Sequence, residues 1–247
     1  MKQLVINFIF CFCITLNLSA QNYVAEYQSI GQSGDAKGHL IFNAKEWLYN
    51  VTTLVKTGGF TVDSNDIDVS DLNEQSTATD TVFSFNYRSL DKNKYLDKES
   101  SSSQSVFIRS ELEKQEWNIL SDSIKKIENY TCQMAKGFVR GRNYTVWFSP
   151  DIPVSAGPWK LWGLPGLIMS AQSDDGFWKI TLISLKPTNL SPREPTFTKT
   201  ITPAEFKAQV KETINKFKRR IVTLNLDSGS AEVTDVKVNN PDKSLFE

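Results

Sequence analysis

Apolar and polar positions alternate in short runs along most of the chain. "YVAEYQSI" (Tyr23 to Ile30), "GHLIF" (Gly38 to Phe42) and "EWLYNVTTLV" (Glu46 to Val55) are rich in aromatic and β-branched residues between polar breaks. That is the composition of half-buried strands. "TVFSFNYR" (Thr81 to Arg88), "SVFIRS" (Ser105 to Ser110) and "EWNIL" (Glu116 to Leu120) continue the pattern. Only Arg140 to Arg142 separate "TCQMAKGFV" (Thr131 to Val139) from "NYTVWFS" (Asn143 to Ser149), and Asp175-Gly176 leads into "GFWKITLISLK" (Gly176 to Lys186). Both junctions are hairpin signals. Parallel neighbours would need long crossovers, so such short links require antiparallel pairing.

The period changes near the C-terminus. In "TPAEFKAQVKETINKFKRRI", Thr202 is an N-cap, Pro203 takes the first helical position and Glu205 completes a capping box. Phe206, Val210, Ile214, Phe217 and Ile221 form one apolar stripe, and basic residues crowd the last turns. This predicts one amphipathic helix with its apolar face on the sheet. The alternative reading of its basic face is a surface for a partner. Two polar stretches, 61–80 and 90–104, the second with a four-serine run, are expected as long loops.

The first twenty residues change the picture. Lys2, an apolar run from Leu4 to Leu18 and the small pair Ser19-Ala20 have the layout of a secretory signal peptide. Its removal after Ala20 takes Cys11 and Cys13 with it and leaves residues 21–247 as a single domain. Cys132 is then alone, so the exported chain must hold together by packing rather than by disulfides. Periplasm or extracellular space is the expected location. Without Lys2, 27 basic residues face 28 acidic ones, a balance that argues against nucleic acid as a partner. No later stretch is long and apolar enough for a membrane-spanning helix.

Candidate chemistry is sparse. One histidine, His39, and Cys132 cannot supply the ligand set of a usual zinc site, and no metal or cofactor is expected. No G-x-S-x-G turn accompanies His39. Cys132 reads as a buried inert thiol; reactivity would require an electropositive setting from Lys136, Arg140 or Arg142. Counting an EF-hand from Asp66 puts Asp71 where glycine is needed and Thr77 where glutamate is needed. Asp174 and Asp175 are paired carboxylates, but a hairpin turn explains both.

The stretch "YTCQMAKGFVRGRNYTVWFSPDIPVSAGPWKLWGLPGLIMSAQSDDG" (Tyr130 to Gly176) resembles the central block of the GLPGLI family, secreted proteins of Bacteroidetes, with "GLPGLI" at Gly163 to Ile168. "YVAEY" and "NNPDKSLFE" extend the resemblance over the rest of the chain. What it implies is a bowl-like β domain, similar to one in a bacterial peptide:N-glycosidase, with no general activity and no catalytic residues. The expected fold is therefore mainly β (α+β): a single strongly curved antiparallel sheet, bowl-like or an incomplete barrel, with one docked helix.

The signature's physics can be read directly. Leu164-Pro165-Gly166-Leu167 fits a type II turn with positive φ at Gly166, while Gly163 allows close backbone approach, and Ile168 closes the hexapeptide. The turn is expected to tuck Leu164 and Leu167 inward. Trp147, Trp159, Trp162 and Trp178 then form the floor or rim of the concave sheet, as core or as ligand-binding surface. The functional expectation is a non-catalytic extracytoplasmic binding protein for an apolar or peptide-like ligand. The alternatives are an assembly partner of an envelope protein complex and, third, a hydrolase using carboxylates and His39.

Overall fold

The computed structural model describes residues 21–31, 35–54, 61–62, 81–101, 104–228 and 236–237. Residues 1–20, expected as a signal peptide, and residues 63–80 of the first expected loop lie outside the described residues. Among the described residues, thirteen strands and one helix follow in chain order. The first half holds β1 (Asn22–Gly31), β2 (Ala36–Phe42), β3 (Glu46–Leu54), β4 (Thr61–Val62), β5 (Thr81–Ser89), β6 (Lys94–Ser101) and β7 (Gln104–Glu111). The second holds β8 (Trp117–Ile127), β9 (Tyr130–Val139), β10 (Arg142–Ser149), β11 (Leu167–Ser173), β12 (Trp178–Thr188), α1 (Pro203–Ser228) and β13 (Val236–Lys237).

Eleven strands make one antiparallel sheet in the order β7-β6-β5-β3-β2-β1-β12-β11-β10-β9-β8. β4 and β13 form a separate two-stranded pair. The sheet is open, yet its edge strands β7 and β8 are consecutive in the chain, joined by residues 112–116 alone. So short a link brings the two edges towards each other at one end, because five residues span at most about 20 Å. Bulges at Glu26/Tyr27, Trp147/Phe148 and within β8 between Leu120 and Ile124 add local bend and twist.

Hairpin chemistry sets the β9–β10 and β11–β12 turns. Arg140 (φ 50°) and Gly141 (φ 77°) are both left-handed, the requirement of a tight type I′ connection, and Gly176 (φ 69°) serves β11–β12. The concave interior is filled by residues 150–166, which have no regular structure. Ile152, Val154, Ala156, Leu161 and Leu164 of this plug are buried against Tyr27, Tyr49, Tyr144 and Phe148 of the sheet. Tyr27 donates its hydroxyl to the Ile168 carbonyl at 2.8 Å, and burial raises its phenol pKa well above the ordinary value.

The capping box forms as read from the sequence. The Glu205 carboxylate accepts from the Thr202 backbone N–H (2.7 Å) and hydroxyl (2.8 Å), and the Glu205 N–H donates to Thr202 Oγ1. The helix places Phe206 and Val210 against Tyr95 and Ile108. Just before it, Ile201 pairs with the outer edge of β7: its N–H donates to the Phe107 carbonyl and its carbonyl accepts from the Arg109 N–H. One of the two sheet edges is thereby covered.

One expectation is corrected here. Residues 90–104 are not a long loop: Leu90 to Asn93 make a turn, and 94–101 form β6. The segment reads as polar because inward-facing β6 positions are occupied by charges. Those charges find partners inside, Asp97 with Arg88 and Glu99 with Lys160.

Candidate functional site

The signature turn differs from its expected form. Gly166 has no positive φ; the left-handed glycine is Gly163, at φ 95°. Gly166 is instead where backbones meet, since a Cβ there would lie 2.2 Å from the Ser149 carbonyl oxygen. At Gly163 the nearest atom to such a Cβ is 3.7 Å away. The two glycines have exchanged the roles the sequence assigned, because the fold packs Gly166 on the end of β10. Leu164, Leu167 and Ile168 are buried and Pro165 is exposed.

The four tryptophans do not share one floor. Trp159 and Trp178 meet at 5.5 Å between ring centres, with Tyr144 about 6 Å from each. Trp147 alternates away from Val146 and Phe148 and is covered by the Lys125 ammonium, 4.0 Å from its ring centre. Burial lowers the pKa of that ammonium. Trp162 packs against Trp47, and it lines a cavity whose lining includes none of the other three.

That cavity, about 680 Å³, opens where the two halves of the curled sheet face each other. Arg88 of β5 and Tyr95 of β6 form one wall. Trp117 and Asn118 of β8, with Lys136 and Phe138 of β9, form the facing wall. The β7–β8 link contributes Glu113, Lys114, Gln115 and Glu116, and the plug contributes Lys160 and Trp162. Arg140, in the β9–β10 turn, reaches across to 5.9 Å from the centre of the Tyr95 ring, over which Arg88 lies at 4.7 Å.

A set of hydrogen bonds fixes these walls. Gln115 Nε2 donates to the Lys160 carbonyl (2.7 Å), and Gln115 Oε1 accepts from the Trp162 N–H (3.0 Å). Trp117 Nε1 donates to the Trp162 carbonyl at 2.8 Å. Behind Arg88, Asp97 accepts from both guanidinium ends, and Asn86 Nδ2 donates to the same carboxylate at 3.1 Å. Lys160, 5% exposed, reaches Glu99 at 2.8 Å. It is delivered by a tight turn in which Trp159 holds φ 55° and the Leu161 N–H bonds the Pro158 carbonyl. For a bulky side chain that backbone is a costly outlier.

The other sequence candidates lie elsewhere. His39 is a half-exposed β2 residue 3.9 Å from Glu26. Cys132 is buried in β9, where burial pushes its thiol pKa up, against reactivity. Asp175 pairs with Arg142 and Asp174 accepts from the Thr145 hydroxyl at 3.0 Å, so both carboxylates staple the β11–β12 turn to β10. Sequence reasoning missed Arg88, Tyr95 and Lys160, whose grouping depends on the curl of the sheet. The only local trace was two charges, Asp97 and Glu99, at alternate positions beside a tyrosine.

Fold and cavity together define an open antiparallel bowl with a plugged interior and a polar mouth. A family described as "Protein of unknown function (Porph_ging)" matches residues 138–170, from the end of β9 through the signature into β11. No curated protein matches the chain. Among solved structures, PNGF-II in its P21 crystal form is similar at TM-score 0.50 and 18% identity, over 74% of this chain and 31% of that one. Its C2 form gives 0.47 and 19%, over 69% and 28%. The chain thus spans less than a third of PNGF-II, and the likeness is one of fold.

Proposed function

We propose that this chain is an extracytoplasmic binding protein that holds a small polar ligand in the cavity between β6 and β9. The observation that carries the reading is the cavity's construction. Side chains from both halves of the sheet converge on it, half-buried Trp117 and Trp162 supply flat apolar area, and amides and charges supply directional contacts. The mixed lining favours a ligand with oxygen or nitrogen substituents on a ring over the wholly apolar or peptide-like ligand expected from the sequence. His39, Cys132, Asp174 and Asp175 all lie outside the cavity lining, so this cavity lends no support to a hydrolase built on them. The test is a ligand screen on the mature chain read by tryptophan fluorescence, repeated with Trp162→Ala. Hits that vanish in the variant support the site; hits that persist unchanged place binding elsewhere.

A second reading is contact with an envelope protein through β8. Among the described residues no strand pairs with the outer edge of β8, while Ile119 and Ile124 on it are 38% and 59% exposed. Open edges with apolar side chains recruit further strands. Pull-down with wild type and an Ile124→Lys variant tests it, and equal recovery of partners by both counts against this reading.

A further inference from the structure

We infer that the cavity takes a ligand bearing an oxyanion, a carboxylate or phosphate, carried on a flat ring. This rests on the cavity being the binding site and names what it selects.

Five cationic side chains line the cavity, Arg88, Lys114, Lys136, Arg140 and Lys160, against two acidic ones, Glu113 and Glu116. The acids that partner Arg88 and Lys160 stand behind them, since neither Asp97 nor Glu99 lines the cavity. The donors therefore face the cavity side while the compensating oxygens face the protein. Arg88 makes this countable. A guanidinium carries five N–H donors. Asp97 takes one from each Nη, and the Tyr87 carbonyl takes another from Nη1 at 2.8 Å. Two donors remain on a side chain that is 3% exposed, and a buried donor calls for an acceptor. Trp162 borders the same space, and the indole N–H of Trp117 is committed to the Trp162 carbonyl.

Arg140 supplies the second point. Its left-handed φ of 50° is one that glycine or asparagine adopts more easily, yet arginine stands there. The conformation carries its guanidinium to the same tyrosine ring as Arg88, from the opposite half of the sheet. Both guanidinium groups border the cavity, so an anion seated there would meet donors from both halves of the sheet. A planar ring attached to that anion would lie along Trp162 and Trp117, which border the same space.

The test is isothermal titration of the full mature chain with matched pairs: phenyl phosphate against phenol, benzoate against benzyl alcohol, and inorganic phosphate alone. The inference expects the charged member of at least one pair to bind about tenfold or more tightly than its neutral partner. Raised salt should shrink that preference. Arg140→Gln, in a half-exposed turn, should reduce it while the chain stays folded by circular dichroism. The paired Arg88→Gln/Asp97→Asn variant removes both buried charges together and should abolish it; Lys136→Gln is the fallback if that variant fails to fold. Equal affinity within both pairs overturns the oxyanion reading and leaves the cavity reading standing. Inorganic phosphate binding as tightly as phenyl phosphate overturns the part assigned to the ring. No binding by any member overturns the inference and counts against the cavity itself.

Discussion

Lys160 and Glu99 meet at 2.8 Å across the interior, one delivered by the irregular plug and the other by β6, with the ammonium 5% and the carboxylate 21% exposed. The contact ties the plug to the far half of the sheet and sets the depth of the cavity beside it. Removing one partner leaves the other charge poorly solvated. Lys160→Met should destabilise by about 2 kcal/mol, below the range for fully sealed pairs because Glu99 keeps some water. Lys160→Met/Glu99→Leu should recover most of the loss. Urea unfolding of the four-member cycle checks this, and additive single effects would show that the pair is not coupled.

The two signature glycines make separable predictions. Gly166→Ala drives a methyl group into the Ser149 carbonyl, a backbone atom that cannot rotate away. It should cost about 3 kcal/mol or prevent folding. Gly163→Ala meets only ordinary van der Waals contacts, the nearest at 3.7 Å, and suffers mainly the left-handed backbone, about 1–2 kcal/mol. Thermal melts rank them; a Gly163 variant worse than the Gly166 variant would reverse the assignment of roles.

Glu194 pins the segment after β12 to the turn between β5 and β6 through Lys94 and Lys92. The hydrogen bond from Lys94, then that from Lys92, holds its carboxyl pKa below the ordinary value. A depressed folded-state pKa means the stabilisation is present above the unfolded pKa, about 4.3. It is lost as pH falls through the folded value. Wild type should therefore lose more stability than Glu194→Gln as pH falls from neutral into the acid limb. Parallel acid titrations followed by Tyr and Trp fluorescence test it, and superimposable curves would contradict it.

Phe206 seats α1 on the covered flank of the sheet, against Tyr95 and Ile108. Phe206→Ala should cost about 3 kcal/mol. Because Tyr95 also borders the cavity, ligand affinity should weaken with it. Hydrogen exchange across β6 and β7 reads the loosening directly; unchanged protection there would show that the helix is not a support for that wall.

Strands with a clear apolar alternation, the hairpins at Arg140-Gly141 and Asp175-Gly176 and the Thr202–Glu205 capping box were legible because each depends on residues near in sequence. β6 was hidden because Asp97 and Glu99 occupy its inward positions and their partners come from β5 and the plug. The Gly163/Gly166 assignment needed Ser149, which no local rule places under Gly166. The tryptophans all belong to or pack against one core cluster, yet their separate ring contacts were not legible, because strand alternation and the course of residues 150–166 decide which rings meet. Trp147 and Val146 are neighbours in the chain and point to opposite sides of β10.

The most direct test of the cavity as the site is the indole N–H spectrum of the chain during titration with phenyl phosphate. Six tryptophans give six resonances. The Trp162 and Trp117 signals should shift in a saturable manner, while those of Trp147, Trp159 and Trp178 stay in place. Saturable shifts confined to Trp159 and Trp178, with Trp162 and Trp117 still, would contradict the account.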